Sequence, residues 1–230
     1  MDLNIVRESL GLYFQGLWTT IWMVAVAVVA GLCLAVPLAV ARTSRNPLIS
    51  WPVWAYTYFF RGTPLLIQLF LIYYGLGQFQ FIQESVFWPL LKEAWFCALL
   101  AFALNTAAYT TEILRGAIEV TPVGEVEAAK AAGMSPFLML RRIILPSAFR
   151  RAVPAYGNEV IFMLHGSAVA SVVTIIDLTG AARLVQSRYY APYEAFITAG
   201  LFYLVLTFAV IWLFRIIEHR MHAHLRRPVG

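Results

Sequence analysis

Residues 17–41 form a run of 25 positions without a charged side chain, and no other feature limits the fold as much. About 20 consecutive apolar residues suffice to cross the hydrocarbon core of a bilayer, so the run predicts a membrane-spanning helix. Ala39-Val40-Ala41 has the look of a signal cleavage site. The residues before the run, however, carry Asp2, Arg7 and Glu8, and the run is too long for a signal core. A retained helix is the expectation. Composition agrees: 61% of residues are apolar and 13% charged, against roughly 45–50% and about 25% in soluble domains.

Four further crossings follow along the chain. Residues 46–60 and 63–77 are uncharged, separated by Arg61 and punctuated by Pro47, Pro52 and Pro64. A residue before proline is biased away from helix. The expectation is therefore an interfacial approach rich in Trp51, Trp54, Tyr56 and Tyr58, followed by a span over 63–77. Residues 94–113, 155–176 and 195–214 supply the third, fourth and fifth spans. Twelve Lys and Arg residues fall on the side of the first-to-second loop, the third-to-fourth loop and the C-terminal tail, and four fall on the other. The positive-inside bias then predicts an N-terminus outside and a C-terminus in the cytoplasm. The net charge of +5 is spread along the flanks of apolar segments, which excludes a basic face for nucleic acid. Cys33 and Cys97 lie inside apolar runs, as buried thiols used as small hydrophobes do.

The third-to-fourth loop carries its own architecture. Glu127-Ala128-Ala129 open a good helix former that runs to Gly133, a cap in the left-handed conformation. Ser135 is an N-cap and Pro136 a first helical residue. A second short helix through Arg141 is expected to stop at Pro146. Taken alone, this is an amphipathic helical hairpin at the membrane surface.

The spacing goes further. Glu127-Ala128-Ala129, three residues, Gly133, nine residues, Ile143, one residue and Leu145-Pro146 resemble in full the EAA loop of ABC-importer permeases. Phe60-Arg61-Gly62-Thr63-Pro64, Asn105-Thr106-Ala107-Ala108-Tyr109, Thr111-Glu112-Ile113, Arg115-Gly116-Ala117-Ile118 and Gly157-Asn158-Glu159-Val160 resemble the polar amino acid branch. The regions of Leu164-His165 and Pro192-Tyr193 resemble its M-type permeases for histidine and lysine, arginine or ornithine. The resemblance implies an all-α membrane protein of five transmembrane helices with the type I importer permease fold, one domain over 1–230. Residues 117–154 would be its cytoplasmic coupling loop. It implies a second, Q-type permease, two ATP-binding subunits and a periplasmic binding protein as partners, in a bacterial inner membrane. Glu127, Ala128, Ala129, Gly133, Leu145 and Pro146 would couple the chain to the ATPase. Basic amino acids are the implied cargo, with glutamine or another polar amino acid as the alternative.

The chain itself has no phosphate-binding loop; Gly11 to Gly16 lacks the lysine and the preceding strand. ATP hydrolysis belongs to a partner, and no enzyme activity or cofactor is expected. A secondary transporter would show paired repeats, a channel a filter-like loop or charged ring, and an intramembrane enzyme a reactive constellation. None is visible.

Polar residues inside spans are the candidates for the substrate pathway. Asn105, Tyr109 and Glu112 share one stripe of the third span, with Thr106 beside it; helix-to-helix hydrogen bonding is the plainer role. Asn158, Phe162 and His165 share a stripe of the fourth span, with Glu159 beside it about one turn inside the membrane. Gln68 and Thr63 are weaker candidates. Arg150 or Arg151 stands as a structural partner for Glu159, and Asn105 as its neighbour in a substrate site. Arg61 has two readings, snorkelling to the headgroups or pairing with Glu112, which also has Arg115 within reach. His219, His222 and His224 read as a solvated basic tail and not a metal site.

Overall fold

A computed structural model describes residues 3–221; His222 and His224 of the basic tail lie outside the described residues. Three helices are long and apolar enough to cross a membrane: α1 (Leu3–Arg42), α6 (Ala94–Glu119) and α11 (Pro192–Met221). Two bent pairs complete the set. In one, α2 (Pro47–Gly62) turns by 107° into a segment that starts as α3 (Leu65–Phe70) and continues to Gln78. In the other, a helix over Pro136–Val173 turns by 48° into α10 (Leu178–Tyr189). Counting each pair as one span gives five. The short helices α4 (Gln80–Gln83) and α5 (Trp88–Leu91) join the second span to the third; they are too short for apolar periodicity to announce them.

The bundle is organised along α1. This helix has 40 residues, about 60 Å at the standard rise, and it contributes to three separate cores. Near its start Tyr13 packs with Leu178, Ala182 and Ala199. In its middle Met23 and Ala27 meet Ala101, Phe102, Leu69 and Met163. Near its end Ala35 and Ala39 meet Leu114, Ala148 and Ala152. Small residues allow the close approach. A Cβ on Gly31 would lie 2.3 Å from Thr106 Cγ2 and 3.2 Å from Ala103 O, so the α1–α6 seam closes only because position 31 is glycine. Close backbone contact through small residues is how helices associate where lipid removes the hydrophobic drive.

Prolines proved weaker stops than the sequence suggested. Pro52 lies inside α2, on an exposed face, and Pro154 inside a helix of the fourth span. Pro146 does not end the hairpin's second helix. That helix begins as α8 (Pro136–Met139), widens into a π turn over Leu140–Ile144 and continues as α9 (Leu145–Gly166), with Pro146 in the first turn. The wide turn accommodates a residue that has no N–H to donate. The fourth span is consequently helical from well before residue 155. Cys97 is buried, its thiol 3.0 Å from Leu91 O, but Cys33 is exposed.

The hairpin follows its short-range signals closely. Helix α7 (Val123–Ala131) starts one turn earlier than expected, after Pro122. Gly133 takes φ 71°, with Gly133 N donating to Lys130 O at 2.9 Å and Met134 N to Ala129 O at 3.1 Å. That pair of bonds is a Schellman cap. Ser135 accepts from Leu138 N at 3.3 Å and Pro136 follows it.

Candidate functional site

The site grows from the break between α2 and α3. Thr63 is extended, as a residue before proline prefers, and Pro64 has no N–H, so α2 must stop at Gly62. A stopped helix leaves carbonyls without partners inside the membrane. Two amides from elsewhere satisfy them. Gln68 Nε2 donates to Phe60 O at 2.8 Å and to Thr63 O at 3.0 Å. Asn105 Nδ2 donates to Gln68 Oε1 at 2.9 Å and to Phe60 O at 3.3 Å. Tyr109 OH reaches Arg61 O at 3.4 Å. The stripe of Asn105, Tyr109 and Glu112 on α6 thus faces the broken second span.

Beside the break opens a cleft of about 400 Å³, lined by Thr63, Pro64, Asn105, Tyr109, Glu159 and Phe162 among others. Gln68 lies behind this wall, 2% exposed, with both ends of its amide engaged. Glu159 enters the cleft from α9. It is 5% exposed and accepts one hydrogen bond, from Thr106 Oγ at 2.9 Å. Among the described residues no cation lies within ion-pairing distance of it. Arg151 is occupied elsewhere: its guanidinium donates to Ala117 O at 3.0 Å, Thr121 Oγ at 2.8 Å and Ser147 Oγ at 2.7 Å. It therefore ties the end of α6 to the start of α9 and does not fold back on Glu159.

The helix that carries Glu159 starts well before the sequence expectation of residue 155. Because α9 runs through Pro146, Glu159 lies 14 residues beyond Leu145, about 21 Å at the standard rise. Its partner Thr106 sits near the midpoint of α6. Thr106, more than Asn105, is its bonded neighbour.

The second stripe divides. Asn158, Phe162 and His165 are all exposed on α9, and of the three only Phe162 lines the cleft. His165 Nε2 lies 3.0 Å from Thr207 Oγ on α11. Glu112 is held by Arg115 at 2.8 Å and Arg42 at 3.5 Å and accepts from Thr57 Oγ at 3.3 Å. Arg61 does not join it. Its guanidinium sits over the Tyr109 ring, 5.5 Å from the centroid.

A second concavity, about 440 Å³, lies under the hairpin between α7 and the start of α9. Glu125, Ala128, Ala129, Arg142 and Pro146 line it. Of the expected coupling residues, Ala129 is buried and Glu127 and Ala128 follow α7, with Gly133 at its cap; Leu145 and Pro146 open α9.

Sequence reasoning missed Asp177. It is 1% exposed and caps α10, accepting from Gly180 N at 2.7 Å, while Leu178 N donates to Thr20 Oγ at 3.1 Å. The signal was present in the preference for aspartate before a helix.

Comparison with known proteins agrees with this architecture. The chain is 44% identical to the nopaline transport system permease protein NocM of Agrobacterium fabrum, over 100% of this chain and 96% of that one. It is 45% identical to the histidine/lysine/arginine/ornithine transport system permease protein HisM of Escherichia coli, over 94% and 91%. A crystal structure of an amino acid ABC transporter with histidines matches with a TM-score of 0.84 at 33% identity, covering 96% of this chain and 99% of that one. The methionine transporter MetNI, at 20% identity and a TM-score of 0.76, shares the fold. Residues 27–223 match the family described as binding-protein-dependent transport system inner membrane component, and the chain belongs to that family.

Proposed function

We propose that this chain is a permease subunit of an ATP-driven importer for basic amino acids, and that Glu159 receives their cationic end. One observation carries the reading. A carboxylate 5% exposed, near the middle of the bundle, opens on a cleft and is held by a single neutral hydroxyl. A carboxylate at such depth is costly without a cation or a wet cavity. A guanidinium, ammonium or imidazolium group entering the cleft would supply the missing charge, whereas a neutral side chain such as that of glutamine would not. The relatives named for histidine, lysine, arginine, ornithine and nopaline transport are consistent with such a cargo.

In this reading the N-terminus faces the periplasm and the C-terminus the cytoplasm of a bacterial inner membrane, as the charge bias requires. Residues 117–154 then form a coupling loop in the cytoplasm. ATP hydrolysis belongs to two partner subunits that receive the hairpin, a Q-type permease completes the pathway, and a periplasmic binding protein delivers the amino acid. The substrate role extends from Glu159 to its partner Thr106 and to Asn105, which lines the cleft; Gln68 stands behind the cleft wall, and Asn158 and His165 lie on exposed positions of α9 outside it.

Glu159→Gln tests the assignment, because it keeps the shape and removes the charge. The assembled complex is expected to keep binding-protein-stimulated ATP hydrolysis while uptake of arginine and histidine falls at least about tenfold, the scale of one lost charge-assisted contact. Unchanged uptake, or a complex that no longer assembles, returns Glu159 to a purely structural role.

A further inference from the structure

We propose that Arg61 is the opposite pole of the same site, and that its guanidinium receives the α-carboxylate of the amino acid whose side chain meets Glu159. The inference rests on the Glu159 reading and adds a second contact to it.

Three observations place Arg61 there. The first is depth. Its neighbour Phe60 is bonded through the carbonyl to Asn105, near the middle of α6, and its own carbonyl to Tyr109. Arg61 therefore leaves the backbone deep in the bundle, far from headgroups to which a lysine or arginine at a helix end would extend. The second is vacancy of partners. Arg61 is exposed, and among the described residues no carboxylate pairs with it; Glu112 is already committed to Arg115 and Arg42. Intramembrane cations are as a rule paired or set beside a water-filled cavity. The third is posture. The guanidinium lies over the ring of Tyr109, and Tyr109 lines the cleft into which Glu159 opens. Stacking on an aromatic ring uses the face of the guanidinium and leaves its edge for N–H donation. Arg61 thus stands at the Tyr109 side of the cleft, and Glu159 opens into the same cleft from α9.

Basic amino acids have the matching polarity. The planar fork of an arginine suits a carboxylate bidentately, and the α-carboxylate is common to all amino acids. Glu159 thus reads what distinguishes a basic amino acid, and Arg61 reads what makes it an amino acid. A carboxylate supplied by another subunit is the competing partner for Arg61, and the experiment separates the two.

The probe is radiolabelled L-arginine bound at equilibrium to the assembled importer in lipid nanodiscs, without binding protein, with agmatine as competitor. Agmatine is arginine without the α-carboxylate. Wild-type complex is expected to prefer arginine by roughly 10- to 100-fold, the range of a hydrogen-bonded charge. Arg61→Gln collapses that preference towards one by weakening arginine alone. Arg61→Lys lowers it several-fold, since the charge stays and the fork is lost. Glu159→Gln weakens arginine and agmatine together. An arginine-to-agmatine ratio in Arg61→Gln equal to that of wild type overturns the proposal. So does loss of assembly in Arg61→Gln combined with a wild-type ratio in Arg61→Lys, which assigns Arg61 to a subunit contact. Arginine and agmatine binding unaffected by Glu159→Gln removes the Glu159 reading instead, while the Arg61 ratio remains decisive on its own.

Discussion

The cleft and the hairpin are built in opposite ways. The hairpin of α7 and α8 is held by contacts a few residues apart: Gly133 to Lys130, Met134 to Ala129, Leu138 to Ser135. Ala129 is its one buried residue between 123 and 139. The cleft depends on pairs far apart in sequence, Asn105 with Phe60 and Gln68, and Thr106 with Glu159. A locally built element tolerates damage to itself without spreading it. A site assembled from three spans inherits every error in how those spans pack. One glycine for each region, Gly31 at the α1–α6 seam behind the cleft and Gly133 at the hairpin, makes the difference measurable.

Gly31→Val should have the largest effect. Position 31 has ordinary helical backbone, but an added Cβ meets Thr106 Cγ2 at 2.3 Å, and Thr106 is the residue that holds Glu159. Overpacking of this kind costs about 1–3 kcal/mol, and α1 must move from α6 to accommodate it. Both the thermal midpoint of the purified complex and its arginine affinity are expected to fall. A variant with normal stability and normal affinity would show that the α1–α6 seam is looser than its geometry implies.

Gly133→Val comes next and should act in the opposite manner. No atom lies within 4 Å of the added Cβ, so nothing is displaced. The cost is backbone strain at φ 71°, about 1–2 kcal/mol for a residue with a side chain. Insertion and arginine binding should be preserved, while co-purification of the ATPase and transport weaken. Normal transport and normal ATPase recovery would remove the coupling role from the hairpin. Arg151→Ala tests the connection between the regions, because this side chain fastens the end of α6 to the start of α9 at the base of the hairpin. Losing those bonds from a partly exposed arginine should cost about 1 kcal/mol. The expected signature is more ATP hydrolysed per arginine transported, with arginine binding unchanged.

The same contrast explains what could be read from sequence. Gly133, Ser135 and Pro136 specify their conformations through neighbours a few residues away, and the structure follows them. The apolar runs likewise announced where helices lie, since length and absence of charge are local properties. Pro146 misled because a proline is tolerated wherever its missing N–H has no acceptor waiting, and the π turn before it was invisible. That one error hid how far the helix before Glu159 extends, while Glu159 itself packs against Thr106 near the midpoint of α6. Arg61 beside Tyr109, Thr106 beside Glu159 and Leu178 N bonded to Thr20 are products of packing between spans. No periodicity within one span encodes such pairs.

The smallest perturbation decides where both regions sit. In a background with Cys33 and Cys97 replaced by alanine, single cysteines at Ser44 and Gln83 should leave transport nearly unchanged. Ser44 lies between α1 and α2, and Gln83 ends α4, beyond the bent second span. If the α2–α3 pair crosses the bilayer despite its 107° bend, the two positions face opposite sides. Five crossings and the positive-inside bias then predict that Gln83→Cys reacts with a membrane-impermeant maleimide in cells whose outer membrane admits it, and that Ser44→Cys reacts only after permeabilisation. The reverse pattern would turn the hairpin outward, away from any ATPase. Equal labelling of both positions would mean that the bent pair re-enters on the side it left. In that event the first-to-second loop and the hairpin would lie on opposite faces, since α6 still crosses between them. The break that shapes the cleft would then be the tip of a re-entrant loop, and Arg61 would lie at that tip. Labelling of Gln83 alone is therefore the outcome on which the coupling hairpin and the mid-depth cleft both depend.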